Sequence, residues 1–132
     1  MIALDTNLLV RLIVHDDEAQ ARAVERLLVR ARRDQTPLFV ADVVLCELVW
    51  VLTRRLGLGR ADIAVALDRL LRTELVVVAD ATVTARALAG YRDGKGDFAD
   101  YLIREQAFAS EATEVVTFDR MLKGEAGFRI LA

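Results

Sequence analysis

Ile2-Ala3-Leu4-Asp5-Thr6-Asn7-Leu8-Leu9 opens the chain with an apolar run, an acid, and the first members of the set Leu8, Leu9, Leu12 and Ile13, whose spacing is that of a short helix. A short apolar strand that passes through an aspartate into a helix is the start of a β-α-β unit, and the rest of the chain repeats the theme. Leu38 to Ala41 reads as a second strand, Leu75 to Ala79 as a third, and Glu114 to Phe118 and Phe128 to Leu131 as the last two. The spacing between them predicts helices over Asn7 to Val14, Asp17 to Arg33, Val43 to Leu56, Gly59 to Leu71, Thr82 to Tyr91 and Asp97 to Ser110. Arg92-Asp93-Gly94-Lys95-Gly96 reads as a loop, and one short helical turn is expected between Asp119 and Gly127. Asp42 and Asp80 are placed as helix caps and Gly57 as a helix stop. Short strands apolar on both faces, alternating with helices, indicate an α/β fold: a three-layer α/β/α sandwich about a central, mostly parallel sheet of four or five strands. One domain over residues 1–132 is expected.

A hydrophobic fraction of 55% and a single proline argue against disorder, and 29% charged residues are enough to solvate such a domain. The formal charge of -2 names no partner. Lys95 and Lys123 are the only lysines among 18 basic residues; the planar arginine fork suits phosphate, although a bias spread over a whole chain more often reflects genomic base composition. The lone Cys46 excludes an internal disulfide, lies in an apolar run like a buried thiol, and fits a reducing, cytoplasmic setting. Asp5 and Arg11 interrupt the N-terminal apolar stretch, so no signal peptide is expected, and no run approaches the roughly 20 residues of a spanning helix, so no membrane partner is expected either.

The acids carry the chemistry. Asp5 and Asp119 follow strands directly, which puts them at the carboxyl edge where parallel sheets bind ligands, although a helix cap and a turn would account for each alone. Glu47 interrupts Val43-Val44-Leu45-Cys46 and Leu48-Val49-Trp50-Val51-Leu52 with no polar face to share. Burying an ionised glutamate alone costs several kcal/mol, so a buried Glu47 requires an arginine such as Arg54 or Arg11, or a metal. Asp97 and Asp100 share a first helical turn with capping-box spacing; Asp97 is the better cap and Asp100 the better ligand. Carboxylates about 4 Å apart repel by roughly 4 kcal/mol at an effective dielectric of about 20, so a convergent set needs protons or a cation. His15, beside Asp16 and Asp17 at a helix end, reads as solvated, and one histidine with one cysteine excludes the usual zinc sets. Ser110 has no partners for acyl transfer. Oxygen donors alone imply Mg²⁺ or Mn²⁺.

These segments, in this order, resemble PIN-domain ribonucleases, and within them the VapC-type toxins of VapBC toxin-antitoxin systems. The resemblance covers essentially the whole chain and rests on Ile2-Ala3-Leu4-Asp5-Thr6-Asn7, Val44-Leu45-Cys46-Glu47-Leu48-Val49-Trp50-Val51-Leu52, Gly96-Asp97-Phe98-Ala99-Asp100-Tyr101-Leu102-Ile103 and Val116-Thr117-Phe118-Asp119-Arg120. It implies that Asp5, Glu47, Asp100 and Asp119 bind the metal and carry catalysis, with Asp97 a neighbouring acid that competes with Asp100 for the third position. Thr6, Asn7 and Thr117 would then support the ligands by hydrogen bonds. Tyr101 departs from the pattern, standing where small residues are usual. The implied activity is a metal-dependent endoribonuclease hydrolysing RNA phosphodiester bonds, and the implied partners are a VapB-type antitoxin and a second copy of the chain in a homodimer. Arg11, Lys95, Arg120 and the Arg30 to Arg33 segment are candidates for contacts to flanking phosphates. Two other readings use the same acids. A Mg²⁺-dependent phosphoryl-transfer domain of the response-regulator or haloacid-dehalogenase kind fits less well, because Asn7 stands where the latter needs a second Asp and Asp80 looks like a cap. A non-catalytic binding module would use the acids as caps and ion pairs.

Overall fold

A computed structural model describes residues Met1–Ala132, which form two compact units, Met1–Ala79 and Asp80–Ala132. The first unit runs β1 (Ile2–Ala3), α1 (Thr6–Ile13), α2 (Glu18–Asp34), β2 (Leu38–Val40), α3 (Asp42–Arg54), α4 (Arg60–Arg72) and β3 (Val76–Val78). The second runs α5 (Ala81–Asp93), α6 (Phe98–Ala109), β4 (Val115–Thr117), a 3-10 turn at Arg120–Leu122, and β5 (Phe128–Ile130). The fold is α/β and all strand pairs are parallel.

In the first unit Ile2 lies opposite Leu38 and Leu38 opposite Val76, giving the order β1-β2-β3; in the second, Val115 lies opposite Phe128. The five expected strands therefore pair as a three-stranded and a two-stranded ladder. Only β2 has a neighbour on each side, and only it is sealed: Leu38 and Val40 are 2% and 0% exposed. The expectation of strands covered on both faces needs correction for the others, since Ile2, Val77 and Val116 are 38%, 36% and 45% exposed. Parallel register sends every strand of a ladder out at the same end, so the residues after β1, β2 and β3 share one edge.

Helix starts follow the local chemistry. Asp80 caps α5 as expected, its Oδ1 accepting from Val83 N at 3.0 Å. Asp42 does not cap α3; Ala41 does, without a side-chain bond, and Asp42 sits in the first turn, where the helix dipole favours an anion. α3 ends at Arg54 with Arg55 as its C-cap, and Gly57 stands within the connection to α4 at φ +65, a conformation open to glycine without strain. The core of the first unit is built from Leu9, Leu38, Leu45, Leu48, Leu52, Ile63 and Leu67, all essentially inaccessible to solvent. In the second, α5 and α6 approach closely at Gly90, where a Cβ would stand 2.7 Å from Tyr101 Cδ1. Arg104 lies over the rings of Tyr101 and Phe128, 5.1 and 5.7 Å from their centroids, and pairs with the buried Glu105 at 2.9 Å. No helix is long and apolar enough to cross a membrane.

Candidate metal-binding carboxylates

In the first unit one threonine ties two of the expected acids together. Asp5 is the last residue before α1 and caps it, Oδ1 accepting from Thr6 N at 2.8 Å. Thr6 is 3% exposed, and its hydroxyl donates to Glu47 Oε1 on α3. Asp5 and Glu47, 42 residues apart, are thus bridged through a single residue. Thr6 thus bonds to both carboxylates, while Asn7 stays exposed beside Arg11 and Gln20.

Glu47 itself requires a correction, because it is exposed rather than buried. Val43, Glu47 and Trp50 recur at helical spacing along the open face of α3, with Val43 74% and Trp50 56% exposed. An apolar sequence on all sides does not make a helix buried on all sides. Neither Arg54 nor Arg11 pairs with Glu47, since Arg11 is held by Asp16 at 2.8 Å and by Gln20 at 2.6 Å.

In the second unit Asp97 and Asp100 open α6 in a capping-box arrangement, Asp97 N donating to Asp100 Oδ2 at 2.8 Å. Asp119 begins the 3-10 turn, its Oδ1 accepting from Met121 N at 2.9 Å and its own N–H donating to Thr117 Oγ1 at 3.0 Å. Thr117 therefore orients the backbone of Asp119. The Asp100 carboxyl holds its proton more tightly than usual: burial is the main cause, the bond from Asp97 N works against it, and the charges of Asp97 and Asp119 add to it.

Each of Asp5, Glu47, Asp100 and Asp119 engages one carboxylate oxygen with a neighbouring amide or hydroxyl and leaves the other without a protein partner. No group of three or more His, Cys, Asp or Glu side chains is gathered as a ligand set. The donors are all oxygen, and the alternatives are absent. His15 is exposed and its ring nitrogen is 3.2 Å from the Leu12 carbonyl, and Cys46 is half-buried with its thiol pKa pushed up, first by burial and then by the charge of Asp42.

Sequence reasoning missed Glu125. Its Oε1 accepts from Tyr101 Oη and from Lys95 N, both at 2.7 Å, while Tyr101 Oη also accepts from Gly96 N at 3.0 Å. Tyr101, the departure from the expected pattern, thereby anchors the loop that delivers Asp97 and Asp100. No local signal joins residues 24 and 30 positions apart.

Compared with known proteins, residues 2–125 match the family described as PIN domain. No curated protein matches the chain.

Proposed function

The chain belongs to the PIN domain family, whose members are generally metal-dependent nucleases, and we propose that it is an endoribonuclease of the VapC toxin type that hydrolyses RNA phosphodiester bonds with Mg²⁺ or Mn²⁺. The observation that carries this reading is the half-engaged state of the four carboxylates, each fixed through one oxygen and open at the other. Carboxylate oxygens held by their neighbours suit a hard divalent cation and no softer metal. The family resemblance names Asp5 and Glu47 in the first unit, and Asp100 and Asp119 in the second, as candidate ligands, with Asp97 kept to the cap of α6. Because the family match runs across both units, they are read as parts of one domain.

When bound, the cation supplies a polarised phosphoryl oxygen and a water of lowered pKa. The chain's own residues prepare that chemistry. Thr6 fixes both carboxylates at once, its hydroxyl donating to Glu47 and its amide to the Asp5 side chain, so neither has to be ordered when substrate arrives. Thr117 holds the backbone of Asp119 by accepting from its N–H, and Met121 N holds its carboxylate. Asp100 holds its proton more tightly than an ordinary aspartate, chiefly through burial, and a bound cation would oppose that shift. The same reading gives the protein a cytoplasmic setting, a VapB-type antitoxin that covers the acids, and a homodimer. Incubating the purified protein with a cellular RNA pool tests it. Cleavage is expected with Mn²⁺, and is expected to vanish with chelator and in Asp5→Ala. Cleavage that persists in chelator overturns the reading.

A further inference from the structure

The exposed side of α2 carries Arg22, Arg26, Arg30 and Arg33, which line one shallow groove with Glu25 and Val29. Successive members of Arg22, Arg26 and Arg30 stand about 6 Å apart along the axis at the ordinary helical rise. None of these three pairs with a carboxylate, whereas Arg33 pairs with Asp34 at 2.9 Å. Residues 22–33 hold five arginines against one glutamate, +4, in a chain whose total is -2, so all the remaining residues together carry -6. A genomic preference for arginine explains the residue type, but it does not explain why unpaired cations gather on one face of a chain that is otherwise acidic.

We propose that this face of α2 binds the sugar-phosphate backbone of single-stranded RNA, outside the carboxylates; the inference deepens the nuclease reading and rests on it for the identity of the polymer. The chemistry selects the occupant. A polyanion with a regular charge repeat matches a regular row of guanidinium groups, which bind phosphate in a forked geometry. A folded protein partner calls for apolar anchors at the centre of the contact, and the groove offers only Val29. A membrane surface calls for an apolar face free to insert, whereas Ala21, Val24 and Ala31 are buried in the unit. Arg11 is excluded from the row by its bonds to Asp16 and Gln20.

The test compares the wild type with Arg22→Gln/Arg26→Gln/Arg30→Gln, with the same positions changed to Lys, and with a control lacking Arg69, Arg86 and Arg92. Filter binding of a short single-stranded RNA in chelator keeps the polymer intact, and log K is followed against log salt. Loss of three phosphate contacts is expected to make the slope shallower by about 2 and to weaken binding at low salt by at least about tenfold. The Lys version is expected to keep the slope. With Mn²⁺, the Gln version is expected to raise KM and leave kcat unchanged. An unaltered slope, or an equal change in the control, overturns the proposal, as does loss of binding to phosphatidylglycerol vesicles with RNA binding intact. If the Gln version shows the expected loss of RNA binding while the wild type cuts no RNA, the nuclease reading falls and this one stands.

Discussion

Thr6 shows how much a single hydroxyl can set. It is buried, it joins two carboxylates, and it donates to a charged acceptor, a bond of the stronger kind. Thr6→Val keeps the shape and removes that donor. Because Glu47 is exposed, water takes over its freed oxygen, so the expected loss is about 1 kcal/mol in urea unfolding rather than the larger cost of a stranded buried charge. Mn²⁺ affinity, read by calorimetric titration, is expected to fall about 10- to 100-fold, as when other supports of metal ligands are removed. Asp100 makes the opposite case. Its folded pKa lies above the ordinary 3.8, so this group favours folding at pH below 3.8, and the advantage is lost as pH rises through the raised value. Asp100→Asn keeps an acceptor for Asp97 N and removes the repulsion from Asp97 and Asp119. The metal-free variant is expected to melt higher than wild type at pH 7, by less than about 1 kcal/mol after solvent screening, with no difference at pH 3. A lower melting point at pH 7 would contradict the burial and charge account. Asp5, Glu47, Asp100 and Asp119 were legible in the sequence as acids at strand ends or inside apolar runs. The exposure of Glu47 was not, because composition cannot say which apolar side of α3 stays outside.

At the level of elements, the period of the apolar residues located every helix and strand, and the side-chain chemistry of Asp80, Asp97 and Asp100 located two helix starts. The close approach of α5 and α6 was hidden. A lone glycine in a helical pattern signals either tolerance or contact, and only the facing residue decides. Here that residue is Tyr101, fully buried and fixed at its hydroxyl by Gly96 and Glu125. Gly90→Ala gains up to about 1 kcal/mol of helix propensity, yet its Cβ would lie 2.7 Å from Tyr101 Cδ1 and 2.8 Å from Arg104 Nη2. Overpacking of this kind costs about 1–3 kcal/mol, and Tyr101 cannot retreat without releasing the loop. The net expectation is destabilisation by about 1–2 kcal/mol in thermal unfolding; a stabilised variant would mean that the two helices separate freely. Tyr101→Phe probes the same anchor from the other side. Glu125 loses its proton more readily than usual, chiefly because Tyr101 donates to it and then because Lys95 N does. That increment of stability is present above the ordinary 4.5 and is lost as pH falls through the lowered value, so the difference between wild type and Tyr101→Phe is expected to shrink in acid.

For the whole molecule, the α/β class and the parallel strands were legible, whereas strand partnership was not. Runs such as Val76-Val77-Val78 and Val115-Val116-Thr117 hold no register code, and an apolar strand of three residues fits beside any other. The three-plus-two pairing is a property of the assembled chain. Metal linkage is read at this scale too. Free Mn²⁺ at a hundred times its Kd is expected to add about 2.7 kcal/mol to unfolding, a shift of several degrees. Asp5→Asn, Glu47→Gln and Asp119→Asn are each expected to cut that shift by more than half while changing the metal-free melting point little, because each amide retains an oxygen acceptor. Equal shifts in all variants would place the cation elsewhere. The open face of α3 has a practical consequence as well. The chain has one tryptophan, three residues from Glu47 and 56% exposed. Its indole emission is therefore a built-in optical gauge, able to report arrivals at that carboxylate in real time without any attached dye.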